Sequence, residues 1–154
     1  MDRQIRNAAK ALIIKGGKML AVKISDGRES WYILPGGGQN PGETLPQAAE
    51  REVAEEAGLL VRATELVFVI EGVHGESFHR VDLVFLCEYL GRLDDPALQS
   101  DSGQVGFDWL DLKTLNLAPL YPSKLRRPIM NLYEGKPRPM YLGNEEIGDP
   151  EIIV

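Results

Sequence analysis

The chain has 154 residues, of which 44% are hydrophobic and 26% charged, with a formal net charge of -6. That length supports a single domain, residues 1–154, with a sizeable core. The acidic balance argues against generic nucleic-acid binding through a basic surface, although an acidic protein still binds polyphosphate when a cation stands between the two sets of charge. One cysteine, Cys87, excludes an intrachain disulfide framework and a cysteine-built zinc site. It follows the apolar run Leu83, Val84, Phe85 and Leu86, and reads as a buried thiol. The start, "MDRQIRNAAKAL", lacks a secretory apolar region, and no apolar run is long enough to cross a bilayer. The expectation is a cytoplasmic protein with no membrane partner.

In chain order, "IRNAAKALIIKGGKMLAVKI" predicts a hairpin turning at Gly16 and Gly17. "SDGRES" is a turn, and "WYILP" a short strand closed by Pro35. Residues 44–57 predict a helix. Thr44 is placed to cap it, with Gln47 as capping-box partner. Leu45, Ala49, Val53 and Ala57 form an apolar stripe, and Gly58 is the stop. "LVRATELVFVIEG" and "SFHRVDLVFLCEYLG" are strand-rich, with "GVHGES" as the turn between them. "RLDDPALQSDSGQVG" reads as a loop, and "FDWLDLKTL" returns to the core. "PSKLRRPIMNLYEG" has helical character that Pro128 is expected to bend or shorten. Residues 136–154 form an extension without clear periodicity. Several strands and two helices suggest an α+β or layered mixed fold.

The chemistry concentrates in "GGGQNPGETLPQAAEREVAEEAGL", residues 36–59. On a helix, Glu52 shares a face with Glu55 and Glu56, and Arg51 stands four residues before Glu55. Gly36, Gly37 and Gly38 let backbone approach a ligand closely. Gly42 lets the chain turn into the helix, and Glu43 precedes it. Carboxylate and carbonyl oxygens are hard ligands suited to Mg²⁺ or Mn²⁺, and such a cation relieves the repulsion and bridges to diphosphate oxygens.

Gly37, five residues, Glu43, seven residues, then Arg51-Glu52-Val53-Ala54-Glu55-Glu56-Ala57-Gly58-Leu59 resembles a complete Nudix box, the signature of the Nudix hydrolases. The box covers residues 37–59, and weaker resemblance extends to "WYILPGG" and "VGFDWLDLKTL". The resemblance implies an α/β fold, an α/β/α sandwich around a mixed β-sheet. It also implies cleavage of a pyrophosphate bond in a nucleoside diphosphate linked to another moiety. Glu52, Glu55, Glu56 and the Gly36 carbonyl would hold Mg²⁺, or Mn²⁺. Glu52 would orient or deprotonate water, with Glu43, Arg51 and Glu56 completing the catalytic set.

Some relatives take the general base from a later loop, which here holds Asp94, Asp95, Asp101 and Asp108. Gln104 stands where many relatives carry a glutamate, and an amide cannot act as a carboxylate base. That favours Glu52, with Asp101 as the loop residue to test. For substrate contacts the candidates are His79, Arg80 and Trp31, with His74 and Tyr32 beside them. Phe107 and Trp109 read as core, and Arg126 and Arg127 as phosphate, subunit or solvent contacts. ADP-ribose-specific relatives often carry a proline some fifteen residues after the box, where this chain has Glu71-Gly72-Val73-His74-Gly75. The leading expectation is therefore a nucleoside triphosphate or another small nucleotide derivative. ADP-ribose or a nucleotide sugar, a non-catalytic nucleotide-binding regulatory module and an RNA-end hydrolase are the alternatives. Met140, Tyr141 and Leu142 are candidates for a homodimer contact.

Overall fold

In a computed structural model of the chain, which describes residues 3–75, 77–94, 96, 98–99, 103–146 and 151, the first two strands form the predicted hairpin. Strand β1 (Gln4–Lys15) turns at Gly16 and Gly17 into β2 (Lys18–Ser25), with Ile14 opposite Met19. Two short strands follow, β3 (Ser30–Ile33) and β4 (Gly36–Gly38). Helix α1 (Leu45–Ala57) leads into the long antiparallel pair β5 (Leu59–Gly72) and β6 (Phe78–Arg92). Strand β7 (Gln104–Asp111) returns to pair with β2, and α2 (Arg126–Tyr133) and β8 (Tyr141–Asn144) complete the chain.

The strand order is β3-β2-β1-β6-β5-β8, with β4 on β1 and β7 on β2. β1 pairs in parallel with β6, and β5 in parallel with β8, whereas the other pairs are antiparallel, so the sheet is mixed. One face carries α1. There Val53 packs with Ala11, Ile13, Phe85 and Cys87. Small side chains at Ala9, Ala48 and Ala49 bring the first half of the helix close to β1. On the other face Leu12, Phe68 and Val84 pack with Leu112, Leu115, Leu125 and Ile129 from the segment around α2. The sheet lies between two helical layers, as the α/β/α expectation required. Cys87 is buried, and burial pushes its thiol up to about 12. Among the described residues no helix is long and apolar enough to cross a membrane.

Four local expectations are corrected. β7 begins at Gln104, inside the segment read as loop, because residues 104–111 pair along β2. Phe107 and Trp109 are not core. They keep 39% and 37% of their surface exposed, on alternate positions of a strand that α1 does not roof. Pro128, expected to bend or shorten its helix, falls in the first turn of the eight-residue α2 rather than in its interior: it is the third helical residue, where the missing N–H would have had no intrahelical partner. Residues 141–144, without a readable period, add β8 to the edge of the sheet beside β5.

Candidate active site

Helix α1 is set by its two ends. Thr44 Oγ1 accepts from the Gln47 amide at 3.3 Å, and Gln47 Oε1 accepts from the Thr44 amide at 2.9 Å, the predicted capping box. Gly58 ends the helix at φ 67°, donating its amide to Ala54 O. With these ends fixed, Val53 faces the core, and Arg51, Glu52, Glu55 and Glu56 face β4 and the loop after it.

Arg51 is the hub. Its Nε donates to Glu43 Oε2 at 3.0 Å, and its Nη2 donates to Glu43 Oε1 at 2.7 Å and to Gly38 O at 2.9 Å. Its Nη1 reaches Glu52 Oε1 at 3.0 Å and Glu55 Oε2 at 3.2 Å. One guanidinium thus gathers three carboxylates and the glycine strand. The Glu43 carboxyl is held down to about 2, first by Arg51 and then by the Asn40 amide. The same pairing raises the pKa of Arg51.

Glu56 is held differently. It is 7% exposed, and Oε1 accepts from the Gly36 amide at 2.7 Å while Oε2 accepts from Gln104 Nε2 at 2.9 Å. Burial raises its pKa despite those two donors. The glycines are needed for closeness. A Cβ on Gly36 would sit 2.3 Å from Ala9 O, and one on Gly37 would sit 2.6 to 2.7 Å from the Glu52 carboxylate. Glu52 therefore lies directly on the glycine backbone.

The result is a cleft of about 420 Å³ between Gly37, Gly38, Asn40, Arg51 and the three helix carboxylates. Among the described residues no three acidic, histidine or cysteine side chains converge on a ready-made ion position. The hydrogen bonds give the reason: Arg51 holds Glu52 and Glu55 toward itself, and Glu56 is turned to Gly36 and Gln104. The donors still fit Mg²⁺ or Mn²⁺ in kind. Three carboxylates on one helix face, over a backbone that leaves no side chain in the way, are a hard-oxygen set.

The other predicted contacts lie elsewhere. His79 Nε2 is 2.9 Å from Glu71 Oε1, and Tyr141 donates to Glu71 Oε2 at 2.5 Å. Arg80 Nε donates to the buried Asp82 at 2.9 Å. Neither His79 nor Arg80 lines the carboxylate cleft. Trp31 is on β3 opposite Ile24, which also pairs with Gln104, so it lies two strands from the Glu56 contact. Tyr32 donates to Asp108 Oδ2 at 2.5 Å. His74 is in the turn after β5. Arg126 is not a surface cation: it is 1% exposed and donates to Leu120 O at 2.8 Å. Asp95 and Asp101 lie outside the described residues. Sequence reasoning missed Asn40 and Gln99, both in the wall of the cleft. Gln99 carried no signal, because it reaches α1 from the loop after β6 through a backbone bond to Glu55 O at 2.7 Å.

The NUDIX domain model matches residues 4–132, and the chain belongs to the Nudix family. Among curated proteins it is 36% identical over 108 residues to the human 8-oxo-dGDP phosphatase NUDT18, covering 70% of this chain and 30% of that protein. It is 30% identical over 86 residues to the ADP-ribose pyrophosphatase of Methanocaldococcus jannaschii, covering 54% of this chain and 51% of the relative. The chain thus spans about half of one of these relatives and less than a third of the other. A Nudix hydrolase from Nitrosomonas europaea superposes with a TM-score of 0.70 at 20% identity, covering 95% of this chain and 81% of that one, a likeness of fold.

Proposed function

We propose that the chain is a metal-dependent pyrophosphohydrolase. Its substrate would be a small nucleoside diphosphate derivative, and one product a nucleoside monophosphate. The observation that carries this reading is the gathering of Glu43, Glu52 and Glu55 by Arg51 beside the glycine strand, with Glu56 anchored next to them. Glu52, Glu55, Glu56 and the Gly36 carbonyl would hold Mg²⁺ or Mn²⁺. Bound there, such an ion would neutralise charge on the phosphates and lower the pKa of water.

The residues divide the remaining work. Glu52, lying on Gly37 with open space in front of it, orients the attacking water and takes its proton. Arg51, itself held by Glu43, fixes the Glu52 and Glu55 carboxylates beside the glycine strand. Glu56 ties the helix to β4 and, through Gln104, to β7. A water oxygen bonds to one phosphorus, the anhydride P–O bond breaks, and the leaving phosphate carries away the bonding pair. Gln104 is spent on Glu56, which supports a base from the helix rather than from this position.

A nucleoside polyphosphate remains the leading substrate class, in keeping with the relative named as an 8-oxo-dGDP phosphatase. ADP-ribose is the second reading, favoured by the relative named as an ADP-ribose pyrophosphatase. The test is a panel of canonical and oxidised nucleoside di- and triphosphates, ADP-ribose and nucleotide sugars, run with Mg²⁺ and then Mn²⁺. Glu52→Gln is expected to lower turnover by orders of magnitude with an unchanged thermal midpoint. Near-normal turnover in that variant removes Glu52 from the mechanism, and no turnover by the wild type on any member of the panel favours the binding-module alternative.

A further inference from the structure

A second cleft, of about 670 Å³, adjoins the carboxylates and shares Gly38, Asn40 and Glu52 with the first. We infer that this cleft receives the phosphate-bearing leaving group of the substrate, and that Arg6 binds its phosphate. The inference rests on the hydrolase reading, because the two clefts meet at Glu52.

The cleft exists because β4 is short. β6 pairs with β1 from Gln4 to Ile13, but β4 covers the opposite edge only from Ala8 to Lys10. Beyond Ala8 the backbone edge is met, among the described residues, by the Gln39 amide donating to Asn7 O at 3.1 Å. Asn7 O and the Ala11 amide both face the β4 side. Strand groups alternate in direction, so the amide and carbonyl of Ile5, two residues before Asn7, face the cleft. The floor is therefore open strand edge, and the far wall is the loop that carries Gln39, Asn40 and Glu43.

The charge distribution selects the ligand. Among the described residues lining this cleft Arg6 is the one basic residue, and the two carboxylates beside it, Glu43 and Glu52, are paired with Arg51. Its register partner on β6 is Arg80, whose guanidinium is turned to Asp82. Arg6 instead lies over the Phe78 ring, 4.9 Å from its centroid, and among the described residues it makes no ion pair. That contact uses the flat face of the guanidinium and leaves its N–H edge for a planar or tetrahedral oxyanion. Asn40 adds a carboxamide, which matches a hydroxyl group, and beside it Asn7 Nδ2 donates to Gln39 Oε1 at 3.2 Å while Gln39 Nε2 donates to Glu43 O at 3.0 Å. Among the described residues no aromatic ring lines the cleft, and they offer no stacking platform for a nucleobase. A phosphate, free or carried on a sugar, suits it better.

The experiment is calorimetric titration of the full chain in Mg²⁺ with ribose 5-phosphate and, separately, inorganic phosphate, using wild type, R6Q and R6K. R6Q is expected to weaken ribose 5-phosphate binding at least about tenfold, the loss of a charge-assisted pair, with R6K intermediate and thermal midpoints unchanged. Weaker binding of inorganic phosphate would show that the Asn40 carboxamide reads the sugar, and equal binding that the phosphate alone is held; each supports the Arg6 site. Wild-type affinity in R6Q, or no binding of either probe by the wild type, overturns it. Failure of the hydrolase reading is seen separately, as an absence of wild-type turnover in the substrate panel.

Discussion

Arg51 is the residue on which the site's charge balance turns. Four carboxylates lie within one turn of α1 or at its entrance, and Arg51 touches three of them. Its preference for Glu43 follows from geometry, since Nε and Nη2 together meet both oxygens of that carboxylate. The consequence is a pH-dependent stability. Glu43 is held at about 2, against an ordinary value of 4.5, so its contribution is fully present above 4.5 and is lost as pH falls toward 2. In acid unfolding the wild type should be more stable than Glu43→Gln at neutral pH, and the gap should close between pH 4.5 and about 2. A gap that persists at the acid end would show that the pair contributes through packing alone. Glu56 acts with the opposite sign: burial raises its pKa, so its cost appears as pH rises above the unfolded value.

At the scale of the element, α1 has to be both helical and rigidly placed, because four of its residues, Arg51, Glu52, Glu55 and Glu56, line one cleft. The capping box and the left-handed Gly58 supply the ends, and the small residues Ala48 and Ala49 let it approach Ala9. Thr44→Ala removes one of the two reciprocal bonds and should cost about 1 kcal/mol in chemical denaturation. Gly58→Ala should cost more, about 1–2 kcal/mol from the left-handed backbone alone. Its Cβ would also stand 3.0 Å from Pro96 Cγ. If the two variants cost the same, the loop after β6 yields to the new methyl group and the backbone strain is relieved elsewhere.

At the scale of the whole molecule, the C-terminal segment fastens the sheet to the α2 layer. Glu145 is 8% exposed and accepts from Ser123 N at 2.6 Å, Ser123 Oγ at 3.0 Å and Lys124 N at 2.9 Å. Beside it, Asn144 Oδ1 accepts from Val73 N at 2.8 Å, and Lys124 Nζ donates to Asn144 O at 2.7 Å. Glu145→Ala would remove the carboxylate that accepts from three donors of residues 123 and 124. A loss of about 2–4 kcal/mol in urea unfolding is expected, with Glu145→Gln losing less. A neutral result for Glu145→Ala would mean that water reaches those donors and that β8 adds little. β8 also lies past residue 132, where the family match ends.

What the sequence determined by itself is local. The hairpin at Gly16 and Gly17, the span and caps of α1, and the shared face of Glu52, Glu55 and Glu56 depend on residues a few positions apart. Their spacing is fixed by helix and strand geometry before any tertiary contact forms. The tertiary structure decided the rest, because burial and pairing depend on partners distant in the chain. Residues 104–111 are a strand because β2 offers an edge, and Phe107 and Trp109 are exposed because among the described residues no helix covers their face. Arg126 is buried because Leu120 and Tyr121 fold back over it. His79 and Arg80, promising as isolated polar residues, find carboxylates at Glu71 and Asp82. Arg6 gave no signal in the sequence, and it lines a cleft only because β4 stops after three residues and leaves the edge of β1 open.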